Sequence, residues 1–332
     1  MKRIELNLIL LLFLSACFKE EEPRFGKTNY ETVVLGDDYN NQIFYSLSND
    51  TIISINSYKD WNLAFYTGNE TSFIRLNSAA NSWAVKTNST NFNDNFSDLY
   101  NPTAKRYDGS HGYTNNLAID VIGPGITTDT VRCDSTVYLL HPGIDANGDD
   151  IGEHIKFIFK GIFYDSYLIQ YANLDGSNMH EAIIPKNNSI NYLAYNWNTH
   201  SIVTIEPDKT TWDLLFTRFT DTVYTNDGTV FLAGYAVTGA YLNETGVSAY
   251  IEEDMAYEEI NASNINLNRL STRWNAIGHN WKQFSGQYAI FDNKSYIIQD
   301  ADNRIFKLRF LGFYDAQTGQ KGYPSFEFEL LR

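Results

Sequence analysis

The chain has 332 residues, a formal net charge of -15 and a mean hydropathy of -0.34. An acidic surface repels nucleic acid and bulk anionic lipid, and no long Lys/Arg run offsets it, so neither is expected as a partner. Aromatic residues make up 15% of the chain, 23 of them Tyr against only 7 Pro, which allows an ample core and favours strands.

The first element is Met1-Lys2-Arg3 followed by the apolar run Leu8 to Leu14 and then Ser15-Ala16-Cys17. A positive start, an apolar run too short to span a bilayer and small residues before a cleavage point mark an export signal. Residues 1–16 are therefore predicted to be removed, leaving Cys17 as a lipidated N-terminus on a membrane outside the cytoplasm. Residues 17–35 read as a polar tether. Its start, Phe18-Lys19-Glu20-Glu21-Glu22-Pro23, resembles the surface-export signal of Bacteroidota lipoproteins, which implies an outer-membrane protein facing outward. With Cys17 lipidated, Cys133 stands alone; no intramolecular disulfide can form, and a buried thiol is expected.

Further along, one pattern occurs twice. Ile52-Ile53-Ser54-Ile55 followed by Trp61-Asn62-Leu63-Ala64-Phe65 matches Ile202-Val203-Thr204-Ile205 followed by Trp212-Asp213-Leu214-Leu215-Phe216, at an offset of about 151. Lys156-Phe157-Ile158-Phe159-Lys160-Gly161 matches Lys307-Leu308-Arg309-Phe310-Leu311-Gly312 at the same offset. Two distant anchors sharing one offset predict an internal repeat. Each copy carries a hairpin: Val137 to Leu140 turns through Asp145 to Asp150, and Ser295 to Ile298 turns through Asp300 to Asn303. The first turn superficially suggests calcium, but an EF-hand needs Gly at its sixth position and an acid at its twelfth, where Asp150 and Lys156 stand.

The predicted fold is all-β throughout: two related antiparallel β units, about 36–185 and 186–332, meeting at the polar turn Pro185-Lys186-Asn187-Asn188. Val223 to Thr238 reads as a hairpin around Asn226-Asp227-Gly228. Ile305 to Phe310 and Phe326 to Leu330 alternate apolar and charged residues, as half-buried strands do. Glu252 to Ile260 is the one segment with a helical reading.

Several of these stretches together resemble the HmuY family. They are Ile205 to Phe216, Val237-Thr238-Gly239-Ala240-Tyr241-Leu242-Asn243, Ile277-Gly278-His279-Asn280-Trp281-Lys282, and Phe306 to Phe310 with Gly319 to Phe328. The likeness covers the second copy nearly end to end and the first more loosely. It implies an HmuY-like, all-β outer-membrane lipoprotein that captures haem and passes it to a TonB-dependent outer-membrane receptor. The matched motifs build the sheet and carry no iron ligand. Relatives of the longer type often show a histidine after the Trp-Asp strand, where this chain has Arg218, which offers no lone pair.

Haem iron takes nitrogen or sulfur donors, or a Tyr oxygen, in an apolar and aromatic pocket. By placement the leading pair is His111, in Gly109-Ser110-His111-Gly112-Tyr113, with His141, at the end of the Val137 strand. Met255 and His279 occupy the comparable interval of the second copy and form the alternative. His180-Glu181 begins an HExxH zinc motif whose fifth position is Ile184, so no metal site is expected there. His200 falls in the Asn198-Thr199-His200 turn and is expected at the surface. Nucleophile elbows, phosphate loops and dinucleotide fingerprints are absent from the sequence, and the chain reads as a binding protein, not an enzyme. A non-catalytic role, either gripping a glycan through Trp83 and Trp197 or serving as a structural partner of a receptor, is the alternative to haem capture.

Overall fold

Alternation of apolar and polar residues becomes twenty strands in a computed structural model that describes residues 26–68, 71–99, 103–120, 136–224 and 230–332. The first ten are β1 (Thr28–Thr32), β2 (Asn41–Ser46), β3 (Thr51–Ser57), β4 (Leu63–Tyr66), β5 (Ile74–Leu76), β6 (Trp83–Lys86), β7 (Tyr138–His141), β8 (Ile155–Ile162), β9 (Ser166–Asn173) and β10 (His180–Pro185). The second ten are β11 (Tyr192–Asn196), β12 (Ser201–Val203), β13 (Leu214–Tyr224), β14 (Val230–Leu242), β15 (Ser248–Glu252), β16 (Lys282–Phe284), β17 (Tyr288–Ile290), β18 (Ser295–Gln299), β19 (Ile305–Tyr314) and β20 (Lys321–Leu330). The protein is all-β, with antiparallel pairing throughout these strands and helical turns of three residues only among the described residues.

Two five-stranded sheets, β1-β20-β19-β18-β15 and β10-β9-β8-β7-β6, flank two four-stranded sheets, β12-β11-β4-β5 and β14-β13-β2-β3. Period-two alternation sets the layers. On β2 and β13, Ile43, Tyr45, Leu214 and Phe216 enter a core with Tyr296, Phe306, Phe310 and Phe326. The intervening Phe44 and Leu215 face the other way, toward Ala194, Ile205 and Trp212. On β4 and β11, Leu63, Phe65, Leu193 and Tyr195 enter a second core with Tyr138, Phe157, Tyr167 and Ile169. The two four-stranded sheets thus lie back to back between two hydrophobic cores.

Each of these central sheets takes strands from both sides of Pro185. The early hairpin β2-β3 pairs with β13 through Tyr45 opposite Leu214, and the later hairpin β11-β12 pairs with β4 through Tyr195 opposite Leu63. Matching polar bonds accompany the two arrangements. Nδ2 of Asn77 donates to the carbonyls of Tyr58 and Trp61 at 2.6 and 2.7 Å. Nδ2 of Asn243 donates to those of Lys209 and Trp212, both at 2.8 Å. Asn62 accepts the Trp197 amide at 3.0 Å, and Asp213 accepts that of Leu47 at 2.7 Å.

The predicted helix at Glu252 to Ile260 is instead the end of β15 and one 3-10 turn, Tyr257–Glu259. Nζ of Lys307 takes the carbonyls of Tyr257 and Ile260 at 3.2 and 3.1 Å, so those acceptors serve a buried ammonium in place of a helical ladder. The Asp145 to Asp150 segment is a turn: Oδ1 of Asp145 accepts the amides of Asn147 and Asp149, and Ile144 bridges Asp150. Strands β13 and β14 form the hairpin expected from Val223 to Thr238, while its Asn226-Asp227-Gly228 tip lies outside the described residues. The signal, Cys17, tether residues up to 25 and Cys133 also lie outside them, whereas the later part of the stretch read as tether is β1 with Val33 and Leu35 in the core.

Candidate functional site

The loop after β6 delivers His111 to a cavity of about 540 Å³, lined by Lys105, Tyr107, Asp108, Ser110, Thr220 and Asp221 among others. Two features of the loop follow from its sequence. Gly112 adopts φ +83 against the indole of Trp274, where a Cβ would lie 2.6 Å from ring atoms. Nδ1 of His111 accepts the Tyr113 amide at 3.0 Å.

The loop is tied to the second half of the chain. Ser110 Oγ donates to Oδ1 of Asp221 at 2.8 Å, and Asn275 Nδ2 donates to Ser110 Oγ at 3.0 Å. The Trp274 amide donates to the His111 carbonyl at 3.3 Å. The other oxygen of Asp221, Oδ2, lies 3.6 Å from Nε2 of His279. One carboxylate on β13 therefore stands between the segment carrying His111 and the segment carrying His279.

Burial holds the His279 imidazole below its ordinary range against the opposing pull of Asp221. Burial, with Arg273 and Arg75 nearby, does the same to His111. Both rings are neutral near pH 7, the state an iron ligand requires. The two differ in which nitrogen is available. An amide donating to Nδ1 of His111 fixes the proton on Nε2, so a metal bond from Nε2 requires that contact to be released. Asp221 next to Nε2 of His279 favours the proton there and leaves the lone pair on Nδ1, as in carboxylate–histidine–metal sites.

His141 sits elsewhere, at the end of β7, with both ring nitrogens engaged. The Gly143 amide donates to Nδ1 at 2.9 Å, and Nε2 lies 3.2 Å from Oδ1 of Asp150. Its ring stacks on Trp83 with centroids 4.6 Å apart. His154 approaches Oδ2 of Asp150 at 3.0 Å, so His141, Asp150 and His154 converge to within 4.8 Å. That grouping has the composition of a metal site, but the Gly143 amide faces the nitrogen that would have to carry the proton if Nε2 bound a cation. Burial and the neighbouring His154 depress the His141 pKa to about 4.

The remaining candidates have structural surroundings. Met255 packs its thioether beside Tyr250, Ile260, Ile297 and Ile305. Trp83 is 7% exposed and Trp197 2%, so neither offers a ring face to a sugar in solution. Arg218 is buried over the Tyr58 ring, 4.6 Å from its centroid. His200 is exposed, as expected, though its ring stacks on His180 at 3.6 Å. Asp221 carried no motif in the sequence; its role depends on a contact between segments more than fifty residues apart.

The HmuY family model, described as HmuY protein, matches residues 38–328. The chain belongs to the HmuY family. Solved structures similar to it include apo PinO from Porphyromonas gingivitis, at 8% identity over 92% of this chain and 99% of that one, with a TM-score of 0.35. A putative HmuY-like heme-binding protein from Bacteroides vulgatus aligns at 11% identity over 92% of each chain, TM-score 0.23. The apo HmuY analog of Tannerella forsythia aligns at 10% identity over 93% of this chain and 99% of that one, TM-score 0.22. The alignments are long but their TM-scores are low, and the HmuY-type, all-β assignment rests on the family match and on the sheets described above. No curated protein matches the chain.

Haem needs an axial donor such as a histidine nitrogen, an apolar and aromatic pocket with room for the ring, and cations near its carboxylates. In the lining of the His111 cavity the nitrogen donor is His111, once its Tyr113 contact is released, and the cations are Lys105 and Arg106; His279 is not in the lining and approaches Asp221 from outside it. Arg106 already pairs with Asp120 at 2.6 Å, which leaves Lys105 the freer cation. The wall is largely polar, with Tyr107 supplying an aromatic ring.

Proposed function

We propose that this protein is a non-enzymatic haem-binding lipoprotein, anchored through Cys17 to the outer membrane at the cell surface, that hands haem to a TonB-dependent receptor. The observation that carries this reading is membership of the HmuY family over residues 38–328, a family whose characterised members capture haem. The start of the chain supports the anchor, with its short apolar run ending at Ala16-Cys17. Among the described residues no helix is long and apolar enough to cross a membrane, which is compatible with a lipid tether.

Within this reading His279 and His111 are the ligand candidates, on either side of Asp221. His279 leads because its neighbouring carboxylate leaves a ring lone pair available. His141 ranks below both, since its two nitrogens already serve Gly143 and Asp150.

The test is a visible-absorbance titration of the chain from Arg24 onward with ferric haem. A Soret band that shifts and saturates near about one equivalent is expected for axial ligation. A spectrum indistinguishable from free haem at all ratios contradicts the function.

A further inference from the structure

A second cavity lies between the back-to-back central sheets; it shares Trp274 and Arg75 with the surroundings of the His111 loop, but none of the haem-ligand candidates lines it. It has a volume of about 120 Å³. Its origin is in the register: Ala64 of β4 stands directly opposite Ala194 of β11, so two methyl groups face a layer where the opposing sheet presents Phe44 and Leu215. Small side chains on one face leave a void that the large pair does not fill. Indoles of Trp61, Trp212 and Trp274 complete an apolar wall.

Among the described residues, two nitrogen atoms on this wall lack hydrogen-bond acceptors. Arg218 is 7% exposed and its Nε has no hydrogen-bond acceptor; Trp212 is 7% exposed and its Nε1 has none. The Arg218 guanidinium donates Nη1 to Tyr58 Oη at 3.2 Å, and among the described residues no carboxylate pairs with it. A guanidinium is always charged; Asp38 and Asp145 act on this one from a distance, but it has no carboxylate in direct contact to offset its burial. Trp61, by contrast, is satisfied, donating Nε1 to Gln42 at 2.8 Å.

We propose that this cavity is a binding site for a short-chain monocarboxylate, whose carboxylate pairs with Arg218 and accepts from Nε1 of Trp212 while its alkyl body fills the space beside Ala64 and Ala194. Size fixes the class: an apolar cavity of about 150 Å³ holds a molecule of benzene's size, so this one admits an acid of roughly four carbons. Apolar walls select against strongly hydrated anions such as phosphate, and the planar guanidinium matches a carboxylate.

Two acids share the wall and are already engaged. Glu206 accepts the amides of Asn191 and Tyr192 at 3.1 and 2.8 Å and Nδ2 of Asn191 at 2.8 Å. Glu244 accepts the Tyr192 hydroxyl at 2.8 Å, and Arg75 donates Nε to the same phenol at 3.2 Å. Burial pushes both carboxyls up, Glu206 to about 7, which softens their repulsion of an anionic guest.

The experiment titrates the chain from Arg24 onward, free of haem, with sodium butyrate and separately with butyramide, its neutral isostere. Tryptophan fluorescence and the Arg Nε–Hε NMR signals report binding. Saturable butyrate binding is expected, with butyramide weaker by about tenfold or more, as loss of a charge-assisted contact implies. Arg218→Met should weaken butyrate to a similar extent, and Ala64→Leu, which fills the void, should abolish binding. Absence of saturation with butyrate, or equal affinity for acid and amide on the native chain, overturns the proposal without reference to either variant's folding. Haem titration of the native chain is a separate readout, so this site and the haem reading can fail independently.

Discussion

Nε2 of His279 lies 3.6 Å from Oδ2 of Asp221, whose other oxygen accepts the hydroxyl of Ser110, the residue next to His111. A carboxylate beside one imidazole nitrogen favours the tautomer whose other nitrogen can bind metal. Asp221→Asn is expected to weaken haem binding by roughly tenfold, the lower end for removing such a partner. A haem titration of this variant, with its unfolding midpoint measured alongside, separates the effect from loss of fold.

His141 predicts a pH dependence of stability. Its folded pKa is depressed from 6.5 to about 4 by burial and by His154. Between those values the unfolded chain binds a proton that the folded chain does not, so stability falls as pH drops from 6.5 toward 4. The full effect is at most roughly 3 kcal/mol. Denaturant midpoints across this range should decline on acidification, and His141→Gln should flatten the slope.

Lys282 works in the opposite pH range. It is buried against Trp281, 4.1 Å from the ring centroid, and burial depresses its pKa from 10.5 to about 7. The unfolded chain holds the extra proton between pH 7 and 10.5, so stability rises with pH over that interval. Lys282→Met should remove this rise; a variant whose denaturant midpoint still climbs from pH 7 to 10 contradicts the assignment.

Asn77 and Asn243 each serve two backbone carbonyls from a buried position. Replacing either with alanine leaves those acceptors unsatisfied and should cost about 2–3 kcal/mol. Because β2 pairs with β13 and β4 with β11, both variants are expected to lower one shared unfolding transition. Two separated transitions by circular dichroism would contradict that coupling.

Much of the strand content was legible locally. Trp61 to Phe65, Trp212 to Phe216 and Ile305 to Phe310 alternate or cluster apolar residues as strands require, and each contributes one. The pairing of β2 with β13 was not legible, because a strand's pattern states which face is buried and not which neighbour supplies the hydrogen bonds. Glu252 to Ile260 misled for a related reason: Lys307, some fifty residues away, claims its carbonyls. His111 and His141 were paired by interval alone. What distinguishes them from His279 is the partner of each ring nitrogen, Tyr113, Gly143 and Asp221, and two of these three contacts hinge on backbone conformation.

The central claim is haem capture through His279 and His111, and the most direct measurement is the ferric haem titration of the native chain beside His279→Ala, His111→Ala and His141→Ala. The account predicts a saturable Soret shift that His279→Ala abolishes or moves, that His111→Ala weakens, and that His141→Ala leaves in place. Loss of the shift in His141→Ala with the other two variants unaffected would contradict it.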